Sequence, residues 1–208
     1  MLQNEEAHNT GGESIKSIIF GGLDGILTAF AIVAGAAGGA LSPNVILILG
    51  FSNIFADALA MAVGEFLSQN AENEWILSER KRELWEMDHY PEGEIQEMID
   101  IFTSRGMSKE DATVVIQTMA KYKEFFVDVM MKEELELQVP KDDHRMESIK
   151  NGFVMFCAFS LFGSLPLLGY IVIPWTFPGL DHETLFKCAC AITAVVLFGM
   201  GSVKSVFR

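Results

Sequence analysis

The chain has 208 residues, a formal net charge of −13, a pI near 4.7 and a hydrophobic fraction of 50%, with mean hydropathy +0.29. That acidity disfavours a nucleic-acid role, and so much apolar sequence favours a small membrane protein over a single soluble domain. The averages hide two populations: residues 68–148 hold 20 Asp/Glu against 10 Lys/Arg, a net −10 of the −13, and most of the remainder reads as lipid-soluble.

A bilayer core of about 30 Å needs roughly 20 helical residues. Four stretches supply them, residues 15–37, 45–67, 153–173 and 184–203. The expected fold is all-α and polytopic: a tail over 1–14, spans 1 and 2 within 15–67, a helical insert over 68–148, and spans 3 and 4 within 149–208. The tail holds Glu5, Glu6 and Glu13 with no Lys or Arg, unlike a signal peptide, so the first span is expected to remain in the mature protein. Arg80, Lys81, Arg82, Arg145 and Lys150 flank the insert, and Lys204 and Arg208 follow the last span, whereas the connections 38–44 and 174–183 carry no Lys or Arg. That asymmetry predicts a cytosolic insert and cytosolic termini.

The first span pairs Gly21 with Gly25 and Gly35 with Gly39 in G-x-x-x-G spacing. Small residues let helices approach closely in lipid, so this span is expected to pack against a second copy of the chain in a homodimer. Its one acid, Asp24, lies roughly 14 Å in at helical rise, too deep for a short side chain to reach water cheaply, and such acids mark ion or proton pathways. The second span carries Asn53, Asp57, Met61 and Glu65 at successive i+4 steps, which forms a polar seam along one side of the helix. The plain alternative is that Asn53 and Asp57 only hydrogen-bond neighbouring helices.

The helical pattern continues from Leu67 to Tyr90-Pro91, where Pro interrupts it. Further helices are expected over 92–104, from Ser108-x-x-Asp111 onward, and over 125–137, and Trp75, Trp85, Ile95, Ile99, Phe102, Phe125 and Phe126 are expected to form a small core. Span 3 should kink at Pro166 and leave the membrane at Ile173-Pro174-Trp175, and Lys187 at the start of span 4 should snorkel to that interface. The cysteines, Cys157, Cys188 and Cys190, all fall within spans; they suggest no disulfide framework and read as buried apolar residues.

The insert repeats acids at helical spacing: Glu83 with Glu86, Glu94 with Glu97, and Met130 and Met131 with Glu134. Members of each set share a helix face and can point at one cation. A single such pair is more often a solvated face. Two thioethers in a polar insert shift the balance, because sulfur beside carboxylates suits a labile transition metal such as Fe²⁺ better than Ca²⁺ or Mg²⁺. Glu86-x-x-His89 is the unit that di-iron bundles use twice; it occurs once here, so a membrane-anchored, ferritin-like iron-binding or buffering protein is the alternative. Nothing resembles a catalytic triad or a nucleotide loop, and no enzyme activity and no permanently bound cofactor are expected.

GGLDGILTAF in the first span, AMAVGEFL closing the second, the acidic insert and DVMMKEEL together resemble the vacuolar iron transporter family from Lys16 to Arg208. The resemblance implies export of cytosolic Fe²⁺ into an acidic, vacuole-like compartment (or the endoplasmic reticulum) in exchange for protons, by a homodimer in the bilayer. It implies that Asp24 and Met61 form the metal site in the membrane and that Glu83, Glu86, Glu94, Glu97, Met130, Met131 and Glu134 are the insert's ligands. Many members have Glu where this chain has Asn53, and Asp57 one turn on is the acid that could replace it. The family typically has five spans against four here, which implies either a shortened sequence or a four-span variant.

Overall fold

A computed structural model describes residues 11–140, 144–176, 179 and 181–206. The expectations for the tail up to residue 10, for the Lys204 side chain and for Arg208 lie outside the described residues. Every described element is a helix: α1 Gly11–Gly38, α2 Pro43–His89, α3 Pro91–Ser104, α4 Lys109–Met119, α5 Lys123–Glu133, α6 His144–Thr176 and α7 His182–Val206. Helices α1, α2, α6 and α7 are long and apolar enough to cross a membrane, as a polytopic membrane protein requires. The chain divides into two compact units, Met1–Leu67 with Glu147–Arg208, and Ser68–Met146.

In the first unit, glycines set how closely the helices approach. A Cβ on Gly25 would lie 2.5 Å from the Phe159 carbonyl oxygen, and one on Gly152 would lie 2.7 Å from that of Ala62. Only glycine permits the α1–α6 and α6–α2 contacts at those points. The first G-x-x-x-G spacing is therefore used inside the chain, with Gly21 against Met155 and Gly25 against Phe159, which corrects its expected use between copies. Gly35 has open space where its Cβ would be. Around these contacts Ala29, Val33, Ile46, Ile54, Phe159, Leu167, Leu185 and Ala189 form one buried cluster.

Helix α1 stops because Ala40 turns left-handed, at φ 52°, and the Leu41 N–H donates back to the Ala36 carbonyl at 3.0 Å. This is a Schellman closure with Ala where Gly is usual. Helix α6 runs through Pro166 and Pro174 and ends at Thr176. Lys187 pairs with Glu183 at 2.7 Å, and Cys157 is exposed on the chain's surface rather than buried, with Cys188 and Cys190 half-buried.

The second unit has its own core of Ile76, Met87, Met98, Ile99, Ala112, Ile116, Phe126, Val127, Met130 and Met131. The sequence pattern misassigned three of its members: Trp75, Trp85 and Phe125 are each more than half exposed. Helical phase explains the difference. Ile76, Glu83 and Met87 share one side of α2, and Phe126, Val127, Met130 and Met131 share one side of α5, which leaves those three aromatics off the buried stripe.

Helix α3 ends where Gly106 takes φ 104°, which lets the Met107 N–H reach the Phe102 carbonyl at 3.2 Å. Ser108 then caps α4 by accepting the Asp111 N–H at 3.1 Å, as its spacing predicts. Arg80 ties α2 to α5 through Asp128 at 2.7 Å and Glu124 at 2.9 Å.

Candidate metal centre

Glu83 and Glu86 stand one turn apart near the end of α2. Tyr90, at φ −137° and ψ 46°, breaks the helix, and Pro91 restarts it as α3, where its missing N–H costs nothing. The break folds the first turn of α3 back, so that one carboxylate oxygen each from Glu83, Glu86 and Glu94 lie within 4.8 Å of one another. The first turn of α3 also favours negative charge through the helix dipole.

Glu134 enters from the other side of the sequence. It caps α5, where its N–H donates to the Met130 carbonyl at 2.9 Å. Just beyond it Glu136 turns left-handed at φ 57°, and the Leu137 N–H donates to the Met131 carbonyl at 2.8 Å, so the segment carrying Glu134 is held against the core.

The electrostatics show that these acids share one neighbourhood. Burial pushes the Glu83 carboxyl up, Glu86 adds to the rise, and Arg82 opposes it. Burial raises Glu94 as well, reinforced by Glu83, Glu86 and Glu97. Glu134 is pushed up to about 7, first by burial and then by the charges of Glu83, Glu97, Glu94 and Glu86. Glu97 is exposed on α3 and acts on the group from its edge.

Glu83 is only 1% exposed, and its Oε2, like Oε2 of Glu134, is buried without a hydrogen-bond partner among the described residues. Buried carboxylate oxygens without donors are costly, and several carboxylates packed together cannot all ionise without a cation. A divalent cation meets both needs, and oxygen donors at this spacing fit one.

Two sequence expectations change at this point. Met130 and Met131 are not exposed thioethers; both are fully buried in the core of the second unit, as Glu83 is. His89 turns away from the acids: its ring stacks on Trp85 at 4.2 Å, and its Nδ1 lies 2.7 Å from the Trp85 carbonyl oxygen. The E-x-x-H unit is thus not used as di-iron bundles use it. Arg82, which sequence reasoning treated only as a topology marker, ion-pairs with Glu79, Glu83 and Glu86; its i+3 and i+4 spacing from Glu79 and to Glu86 was the available signal.

Within the first unit, the Asn53 amide donates to the Asp57 carboxylate at 2.5 Å, and both side chains are half-buried. Met61 packs against the buried cluster, and Ser17 donates to Glu65 at 3.4 Å. Asp24 is exposed on the face of α1 that also carries Phe20, Leu27, Ala31 and Gly35. None of the described residues hydrogen-bonds or ion-pairs with it.

With this geometry in view, comparison with known proteins gives a consistent result. Residues 15–208 match the model of the VIT family. A protein of Toxoplasma gondii named vacuolar iron transporter is 42% identical over 98% of this chain and 68% of its own length. One of Plasmodium falciparum with the same name is 40% identical over 97% and 74%. Vacuolar iron transporter 1 of Arabidopsis thaliana is 31% identical over 97% and 77%. A match over residues 15–208, nearly the whole of a chain in which four helices are long and apolar enough to cross a membrane, places this protein in the VIT family.

Proposed function

We propose that this protein is a metal transporter that moves Fe²⁺ from the cytosol into an acidic, vacuole-like compartment in exchange for protons. The observation that carries the reading is the convergence of one carboxylate oxygen each from Glu83, Glu86 and Glu94 within 4.8 Å of one another, at a residue, Glu83, whose buried Oε2 has no hydrogen-bond partner among the described residues. The cation there is cargo. The insert faces the cytosol in this reading and gathers Fe²⁺, with Glu97 and Glu134 adding charge. The names of the relatives support iron as the metal.

The membrane path runs past Asp24 and Met61. A carboxylate in hydrocarbon costs about 2.5–3.5 kcal/mol on insertion scales, so Asp24 needs a counter-charge. Fe²⁺ can neutralise it from one side of the membrane and a proton from the other, which is the physical basis of exchange. The thioether of Met61 selects against Ca²⁺ and Mg²⁺. Because none of the chain's described residues pairs with Asp24, the reading includes a homodimer in which a second copy faces it. Asp57, steadied by Asn53, is the second intramembrane acid on the path.

The test is Fe²⁺ uptake into proteoliposomes with and without an inside-acid pH gradient. The gradient should accelerate uptake by the wild type, and Asp24→Asn should abolish that uptake while Fe²⁺ binding persists. Binding without any uptake by the wild type would instead favour a membrane-anchored iron buffer. Wild-type rates in Asp24→Asn vesicles would remove Asp24 from the path.

A further inference from the structure

Arg82 sits among the converging carboxylates as a cation that the chain supplies to itself. Its Nη1 lies 2.9 Å from Oε2 of Glu79, its Nη2 3.4 Å from Oε1 of Glu83, and its Nε 3.7 Å from Oε1 of Glu86. Two of those three acids belong to the group whose oxygens converge, and the third does not. The shortest contact is to the outsider, Glu79. At Glu83 the guanidinium engages Oε1 only, while the buried Oε2 has no donor. Arg82 itself is 54% exposed and has room to swing.

We propose that Arg82 is an internal competitor for the metal centre, held ready by Glu79: it partly neutralises the empty site, and it shifts wholly onto Glu79 when a divalent cation takes Glu83 and Glu86. Arginine suits the task because its planar fork can bridge several carboxylates at once and always stays charged. The consequence is an affinity set below what the bare carboxylates would give. Cation entry exchanges one partner of Glu83 and Glu86 for another, so the centre both fills and empties readily. A site that captures cargo and passes it on needs that property, whereas a storage site does not. This inference rests on the reading of Glu83, Glu86 and Glu94 as cargo ligands.

Three substitutions in the full chain, purified in detergent, test it by equilibrium binding of Fe²⁺ under anaerobic conditions. Glu94→Gln, which leaves Arg82's partners intact, should weaken binding and so reports on the underlying reading alone. Arg82→Gln should tighten binding about tenfold, the scale expected when one charge is removed several ångströms from a divalent ion in a largely aqueous setting. Glu79→Gln should weaken binding about threefold, because Arg82 then loses its resting partner and stays on Glu83 and Glu86.

The double variant separates this exchange from plain long-range charge, which would give the two single effects the same signs. With Arg82 already Gln, the Glu79→Gln change should have almost no effect, a non-additivity that a double-mutant cycle measures directly. Equal weakening by Glu79→Gln in both backgrounds, or unchanged affinity in Arg82→Gln, overturns the proposal while leaving the ligand assignment standing. Wild-type protein that binds no Fe²⁺, or that Glu94→Gln does not weaken, overturns both.

Discussion

Glu134 gives an expectation with both a sign and a size. Its carboxyl is raised from the ordinary 4.5 to about 7, by burial first and then by Glu83, Glu97, Glu94 and Glu86. At about 1.4 kcal/mol per pH unit the full shift corresponds to a ceiling of about 3 kcal/mol. Partial exposure of the side chain lets solvent and salt screen the neighbouring charges, so about 1–2 kcal/mol is the expected effect. Because the folded, cation-free protein holds this proton more tightly than the unfolded chain does, the contribution is complete below pH about 4.5 and is lost as the pH rises through about 7.

Glu134→Gln keeps the shape and stays neutral. It should match the wild type at pH about 3.5, where the carboxyl is protonated in both states, and exceed it by about 1–2 kcal/mol at pH 8, if no divalent cation is present. Fe²⁺ should reverse the order at pH 8, since a metal binds the carboxylate and not the acid. Hydrogen exchange of the α3 and α5 amides in the full chain, corrected for intrinsic rates, reads the local opening free energy without assuming a two-state membrane protein. Parallel pH profiles for the wild type and Glu134→Gln between pH 5 and 8 would refute the assignment of Glu134 to the shared acidic neighbourhood.

Three further outcomes follow from the packing. Gly25→Leu should cost most of the folded yield in size-exclusion chromatography, because its Cβ would meet the Phe159 carbonyl at 2.5 Å. Gly35→Leu, with nothing within 4 Å, should leave each copy folded; if the open face of α1 joins two copies, light scattering should show the variant dissociating where the wild type does not. Glu136→Gly should slow hydrogen exchange at the end of α5 by about 0.5–1 kcal/mol of added stability, because only Gly adopts the φ of 57° found there without strain.

The spans were legible because composition decides them: long apolar runs must become helices in lipid, where every backbone group has to be satisfied within its own segment. The helix breaks in the insert were legible for local reasons, Pro91 through its ring and Gly106 and Ser108 through their backbone and side-chain geometry. The inward faces were not. Trp75, Trp85 and Phe125 look like core residues by size, but the buried stripe is fixed by which residues share a helical phase with partners far away in the sequence. The same limit applied to Met130 and Met131, where local charge suggested exposure and the long-range packing of α5 removed it. The acids were readable as spaced pairs. Their meeting across the Tyr90-Pro91 break was not, because spacing rules stop at the end of a helix.

The acids of this protein differ in what balances them, and that difference separates structural from working roles. Asp128 and Glu124 share Arg80, Glu133 pairs with Arg105, and Asp88 with Lys123. Those pairs are closed within the chain and call for nothing further. Asp57 has a neutral donor in Asn53, which orients its charge without cancelling it. Glu83 and Glu134 each keep a buried oxygen that no described group meets, and Asp24 has no partner among the described residues. A buried carboxyl without a donor is tolerated by holding a proton or by a cation that completes it, and in the proposed function the cargo is that cation. If that cation bound permanently, Arg82 beside Glu83 would be a standing repulsion with no benefit. Beside a cation that comes and goes, the same arginine limits the cost of the empty state.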